Sequence, residues 1–174
     1  LHTDNITARE NGRLECMHCE AYNALTLCDS ASMLVEGDRD YTEWYTLSAR
    51  LGVNMHDDSR LEVKSGIVSA VRCGWGDITL NDNAVMEVSV SDGWADCGVM
   101  REETRALTIN DSARLDVNGF FFCIHVPRIE INGGTLSCTS ASNGWAIDLL
   151  YAQSPYSTFQ PGFYVGGKVA EVST

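Results

Sequence analysis

An eleven-residue phrase recurs six times along the chain, starting at residues 6, 25, 53, 78, 107 and 129. A phrase repeated in register points to one supersecondary unit stacked on copies of itself, and few folds satisfy that. The copies read ITARENGRLEC, LTLCDSASMLV, VNMHDDSRLEV, ITLNDNAVMEV, LTINDSARLDV and, one residue shorter, IEINGGTLSC. Aligned, they define four apolar columns. The first is Ile6, Leu25, Val53, Ile78, Leu107 and Ile129, and the second is Ala8, Leu27, Met55, Leu80, Ile109 and Ile131. The third is Leu14, Met33, Leu61, Met86, Leu115 and Leu136, and the fourth is Cys16, Val35, Val63, Val88, Val117 and Cys138. All 24 positions are apolar in a chain that is 44% hydrophobic. Before the choice of offsets is allowed for, chance gives that on the order of once in 10⁹ trials.

Apolar residues two apart on either side of a short polar step describe a strand, a tight turn and a second strand. A third apolar fragment usually follows, as in Ala24-Leu25, Trp44-Tyr45-Thr46-Leu47, Ile67-Val68-Ser69-Ala70-Val71, Phe121-Phe122-Cys123-Ile124 and Trp145-Ala146-Ile147, so each unit has about three strands. Intervals between copies are 19, 28, 25, 29 and 22 residues, so the strands are constant and the connections vary. A leucine-rich repeat needs apolar residues at i, i+3 and i+5, a propeller blade needs about forty residues, and a sandwich has no phrase repeated in register. The expectation is an all-β, single-domain, right-handed parallel β-helix of about six to seven coils, a rod about 30 Å long. Residues 1–3 and the region after Tyr151 are expected to cap it, with a degenerate seventh copy near 163. Residues 40–51 and 101–106 carry weak helical patterns, the first read as a strand plus a loop.

The chain has 174 residues and a formal net charge of −12, the wrong sign for a nucleic-acid backbone or an anionic membrane surface. No apolar run approaches the roughly twenty residues of a membrane span. The chain opens on Leu1 rather than Met, so no cellular address is read from its start. Seven cysteines cannot all pair within one molecule. Cys16 and Cys138 stand where other copies have Val, so they read as small core residues, and stacked reduced thiols suit a reducing setting. Cys16-Met17-His18-Cys19 is half of a zinc or redox pattern with no second half, which favours the core reading.

Position four of the phrase holds Asn81, Asn110 and Asn132 in consecutive copies, after Arg9, Cys28 and His56, and predicts a ladder of stacked amides at a coil corner. Position five holds Glu10, Asp29, Asp57, Asp82 and Asp111, then Gly133. Such a column suits turn-forming residues facing water, and Asp29, Asp57, Asp58, Asp82 and Asp111 are also the candidate ligands for Ca²⁺, the one cofactor considered; none is required. Trp follows Gly at Gly74-Trp75, Gly93-Trp94 and Gly144-Trp145. Exposed indoles stack on sugar rings, so Trp75, Trp94 and Trp145 are candidate platforms, with Asp92 and Asp96, and also Asp77 and Asn143, to bind hydroxyls; the competing reading packs the rings inward. No nucleophile elbow, zincin motif or phosphate loop is present, and no catalytic residue is assigned.

LTINDSARLDV, ITLNDNAVMEV and IEINGGTLSC, each followed by a variable loop, resemble the right-handed β-helix proteins of the pectate-lyase-like superfamily. More narrowly, residues 6–150 look like carbohydrate-binding β-helix domains on the surfaces of gut and cellulolytic Firmicutes. The resemblance implies an extracellular or cell-envelope module that binds a polysaccharide or cell-surface glycan. Lyases of that superfamily carry calcium-binding acids and a basic Arg on outward positions of adjacent coils. That set is not matched here, although Arg50, Arg72, Arg101 and Arg105 are basic candidates by analogy. A polysaccharide lyase or hydrolase, and a spacer without ligand, are the alternatives.

Overall fold

The computed structural model describes residues 1–37, 45–65, 69–90, 97–98, 106–119, 124–140, 147–148, 162–166 and 171–173. Among them every regular element is a strand, and the strand pairs are parallel. The chain is a parallel β-solenoid in which each turn contributes one strand to each of three sheets. The first half of every phrase builds one seven-stranded sheet, from Ile6–Ala8 through Ala24–Leu27, Gly52–Met55, Asp77–Leu80, Leu107–Asn110 and Arg128–Asn132 to Gly162–Gly166. The second half builds another: Arg13–Cys16, Ser32–Gly37, Arg60–Ser65, Val85–Val90, Arg114–Gly119, Thr135–Ser140 and Glu171–Ser173. The third side is a five-stranded sheet of His2–Thr3, Cys19–Ala21, Tyr45–Ala49, Ser69–Cys73 and Cys97–Gly98.

Register follows the columns read from the sequence. Leu25 pairs with Val53, Val53 with Ile78, Ile78 with Leu107 and Leu107 with Ile129, while Met86 sits between Leu61 and Leu115. A parallel ladder places equivalent residues about 4.8 Å apart on the same face, so each column becomes a stack of like side chains. The stacks fill the interior: Leu25, Leu27, Met55, Leu80, Leu107, Ile109 and Leu115 are all 0% exposed. Burying each such side chain contributes about 1.5–3 kcal/mol. Ala8, Leu14 and Cys16, in the first copy, are only partly buried because no described turn lies beyond them.

Position seven is small for a steric reason. Its N–H closes the turn on the carbonyl of position four, as in Ala31 to Cys28, Ala84 to Asn81 and Ala113 to Asn110, and its side chain points into the corner. Ala31, Ser59, Ala84 and Ala113 are fully buried there. At Gly134 a Cβ would lie 2.4 Å from Cγ2 of Ile109, so that corner has no room even for a methyl.

Three expectations need correction. Among the described residues about four turns are complete on all three sides, spanning 6–21, 24–49, 52–73 and 77–98, rather than six to seven. Beyond them the first two sheets continue, while the third side passes to a separate pair, Ile124–His125 with Ile147–Asp148. Residues 2–3 form a strand paired with Glu20 and Ala21 rather than a cap. The third-side strand that follows the first copy is Cys19–Ala21, since Ala24 and Leu25 belong to the first sheet. The copy near 163 continues the stack, Phe163 pairing with Ile129 and Val172 with Leu136. Residues 45–49 form a strand, while 40–44 and 101–105 lie outside the described residues. Among the described residues no helix is long and apolar enough to cross a membrane.

Candidate functional site

Both polar columns are ladders. Asn132 Nδ2 donates to Asn110 Oδ1 at 2.9 Å, and Asn110 Nδ2 donates to Asn81 Oδ1 at 2.7 Å. Asn81 Nδ2 ends the chain on His56 Nδ1 at 3.2 Å, close to the Met55 carbonyl at 3.3 Å. The acid column is built differently. Glu10, Asp29, Asp57, Asp82 and Asp111 all have φ of 58–59°, in the left-handed region. Short Asp side chains tolerate that conformation better than most residues, and where the acid is absent Gly133 takes it up with φ 115°.

The four aspartates also reach one turn back. The N–H groups of Glu10, Asp29, Asp57 and Asp82 donate to Oδ2 of Asp29, Asp57, Asp82 and Asp111 at 2.9, 3.0, 3.1 and 3.4 Å. Asp58 is exposed beside the column and accepts a hydrogen bond from Asn83 Nδ2 at 3.1 Å. This column therefore satisfies the backbone at the corner where the strand ladder is interrupted.

The third sheet has a different outer face. Its inward residues Cys19, Ala21, Leu47, Ala49, Val71 and Cys73 are buried, so the residues between them point out. Glu20 pairs with Ser48 and Ser48 with Arg72, giving an outward row of acid, hydroxyl and guanidinium. At the following corner Tyr22, Arg50 and Gly74 succeed one another, and the Trp75 N–H is held by the Arg50 carbonyl at 2.7 Å. Glu20, Tyr22, Ser48, Arg50, Arg72 and Trp75 line a groove of about 290 Å³. Tyr22 and Trp75 are 46% and 53% exposed, and the Arg72 guanidinium lies 4.5 Å over the Tyr45 ring.

Trp75 thus has an exposed ring at a groove. Trp94, Trp145, Asp92, Asp96 and Asn143 lie outside the described residues. Asp77 does not line the groove, and its Oδ1 accepts the Ala106 N–H at 2.9 Å. The groove partners Tyr22, Ser48, Arg50, Arg72 and Glu20 were missed as a set. A signal existed in Cys19-Glu20-Ala21-Tyr22, Leu47-Ser48-Ala49-Arg50 and Val71-Arg72-Cys73-Gly74, a third phrase of apolar, polar, small and outward residues too short to stand out.

Beside the groove, one group of three metal-ligating side chains among the described residues has all its donor atoms within 4.8 Å of one another: His2, His18 and Glu20. Cys16 and Cys19 bracket His18 in sequence. A hydrogen bond from Cys19 holds the Cys16 thiol below its ordinary value, at about 7, and the same contact together with burial pushes Cys19 up. Cys16, Cys19, Cys28, Cys73 and Cys138 are thiols, not disulfides. Comparison with protein-family models, curated proteins and solved structures found no match to this chain.

Proposed function

We propose that this β-solenoid is a non-catalytic module that binds a polysaccharide or cell-surface glycan, at the cell envelope or outside the cell. The observation that carries the reading is the pair of exposed rings, Tyr22 and Trp75, at a groove that also holds Arg50, Arg72, Glu20 and Ser48. Aromatic faces stack on the C–H faces of pyranose rings, and guanidinium, carboxylate and hydroxyl groups bond their oxygens. Arg50 and Arg72 can pair locally with a sugar carboxylate or sulfate, while Glu20 beside them and the net charge of −12 oppose a polyanionic glycan unless Ca²⁺ bridges it. No cofactor is assigned to the binding step, and the acid column remains the place where Ca²⁺ is to be tested.

The experiment is a glycan screen with neutral and uronic-acid oligosaccharides, run with Ca²⁺ and with chelator, the same mixtures being assayed for unsaturated or reducing products. Binding without turnover, weakened at least tenfold by Trp75→Ala or Tyr22→Ala with thermal stability unchanged, supports the module. Product formation replaces it with a lyase or hydrolase. No binding to any glycan, with both variants behaving as wild type, leaves a spacer.

A further inference from the structure

We infer that His2, His18 and Glu20 form a binding site for one divalent transition ion of the zinc class. Two imidazoles and a carboxylate are a set that zinc takes in open sites, where water completes the coordination. Calcium and magnesium take oxygen ligands instead, so the two histidines select against them. The inference stands apart from the saccharide reading, although Glu20 belongs to both places.

The geometry is close to what an ion requires. Ligand atoms bound at 2.0–2.1 Å to a tetrahedral ion lie about 3.3 Å apart, and the ring centroids of two bound imidazoles lie about 5.2 Å apart. Here His2 Nδ1 and Glu20 Oε2 are 2.9 Å apart. The His2 and His18 ring centroids are 5.5 Å apart, the rings tilted by 42° rather than stacked. All three donors already lie within 4.8 Å of one another, so closing on an ion moves them by about 1.5 Å at most.

The backbone fixes where those donors start. His2 and Glu20 are register partners on adjacent parallel strands, and the edge strand of His2 is held to that neighbour at each of its ends. The Glu20 N–H bonds the Leu1 carbonyl at 2.7 Å, and the Tyr22 N–H bonds the Thr3 carbonyl at 2.9 Å. His18 comes from the corner before Cys19 and is 7% exposed, which gives the site a buried floor. The His2 and Glu20 side chains are 49% and 35% exposed, leaving an entry path and room to turn. A buried imidazole below and two adjustable ligands above make a site that an ion closes with little reordering of the chain.

The test is a calorimetric titration of chelator-stripped, reduced protein with Zn²⁺ alone, repeated with Co²⁺ to read the visible spectrum. The expected result is one ion per chain with micromolar or tighter affinity, a raised melting temperature and the absorption of a four-coordinate N/O cobalt site. Glu20→Gln keeps the strand and the shape of the side chain and is expected to weaken binding at least tenfold; His18→Ala is expected to abolish it. Millimolar Ca²⁺ should not compete. Wild-type affinity in Glu20→Gln overturns the inference. So does loss of binding in Cys16→Ser or Cys19→Ser, which moves the ion to the thiols, and so does loss when residues are added ahead of Leu1, which makes the terminal amine the ligand.

Discussion

Asp82 offers a direct test of the acid column, because three substitutions separate the forces acting there. It has φ 59°, its Oδ2 accepts the Asp57 N–H at 3.1 Å, and its own N–H bonds Asp111. Losing the acceptor costs about 1–1.5 kcal/mol. Neighbouring carboxylates one turn away, about 4.8 Å, repel by about 0.9 kcal/mol each in water, and salt reduces two such terms to about 1 kcal/mol in all. Asp82→Asn keeps an acceptor and a residue tolerant of the left-handed region while removing the repulsion, so it is expected within about 0.5 kcal/mol of wild type. Asp82→Gly and Asp82→Ala both lose acceptor and charge and differ only in the backbone. Alanine pays the left-handed cost that glycine avoids, so Gly should be the more stable of the two by about 1 kcal/mol, with Ala about 1–1.5 kcal/mol below wild type once the relieved repulsion is counted. The assay is urea denaturation at fixed ionic strength, with hydrogen exchange read at the Asp57 N–H. Protection there should survive in Asn and fall in Gly and Ala. If Ala matches or exceeds Gly in stability, or if the Asp57 N–H stays protected in both, the account of this column is wrong.

Asn110 bonds both of its ladder neighbours while Asn132 donates only upward, so Asn110→Ala should cost about 2 kcal/mol and Asn132→Ala less than about 1 kcal/mol by the same denaturation measurement. Gly76→Ala should cost more than about 3 kcal/mol or prevent folding, since its Cβ would lie 1.8 Å from the Leu51 carbonyl oxygen and only separation of two turns relieves that; a melting temperature near wild type refutes it. Burial pushes the Cys73 thiol from 9.0 up to about 12. The unfolded chain therefore ionises it first, and between pH 9 and 12 stability should fall by up to about 1.4 kcal/mol per pH unit. Cys73→Ala should remove one group's share of that slope, the raised Cys19 thiol keeping its own, and an unchanged slope assigns it to other groups.

The two long sheets were legible because their signal is doubled. Each strand alternates every second residue, and stacking forces the same alternation on the residue one turn away, so Ile78, Leu107 and Ile129 had to agree in character. The asparagine ladder was legible for the same reason, but its end on His56 was not, because an imidazole does not look like another amide. The acid column could be counted from the sequence, while its work could not. A backbone φ of 58° and a carboxylate aimed at the N–H one turn back exist only once the turns are stacked.

The sequence by itself determined that this chain is a stack of repeated strand-turn-strand units, which residues face its interior, and that Trp75 stands outside the apolar columns. It did so because those properties are periodic, and periodicity survives in one dimension. Only the tertiary structure decided what Trp75 stands beside. Glu20, Ser48 and Arg72 are 24 to 28 residues apart in a third side of short strands and uneven connections, and His2 and Glu20 meet only as partners on adjacent strands. Stacking at about 4.8 Å per turn brings such residues into one row whatever the length of chain between them, so nothing in their spacing announces it.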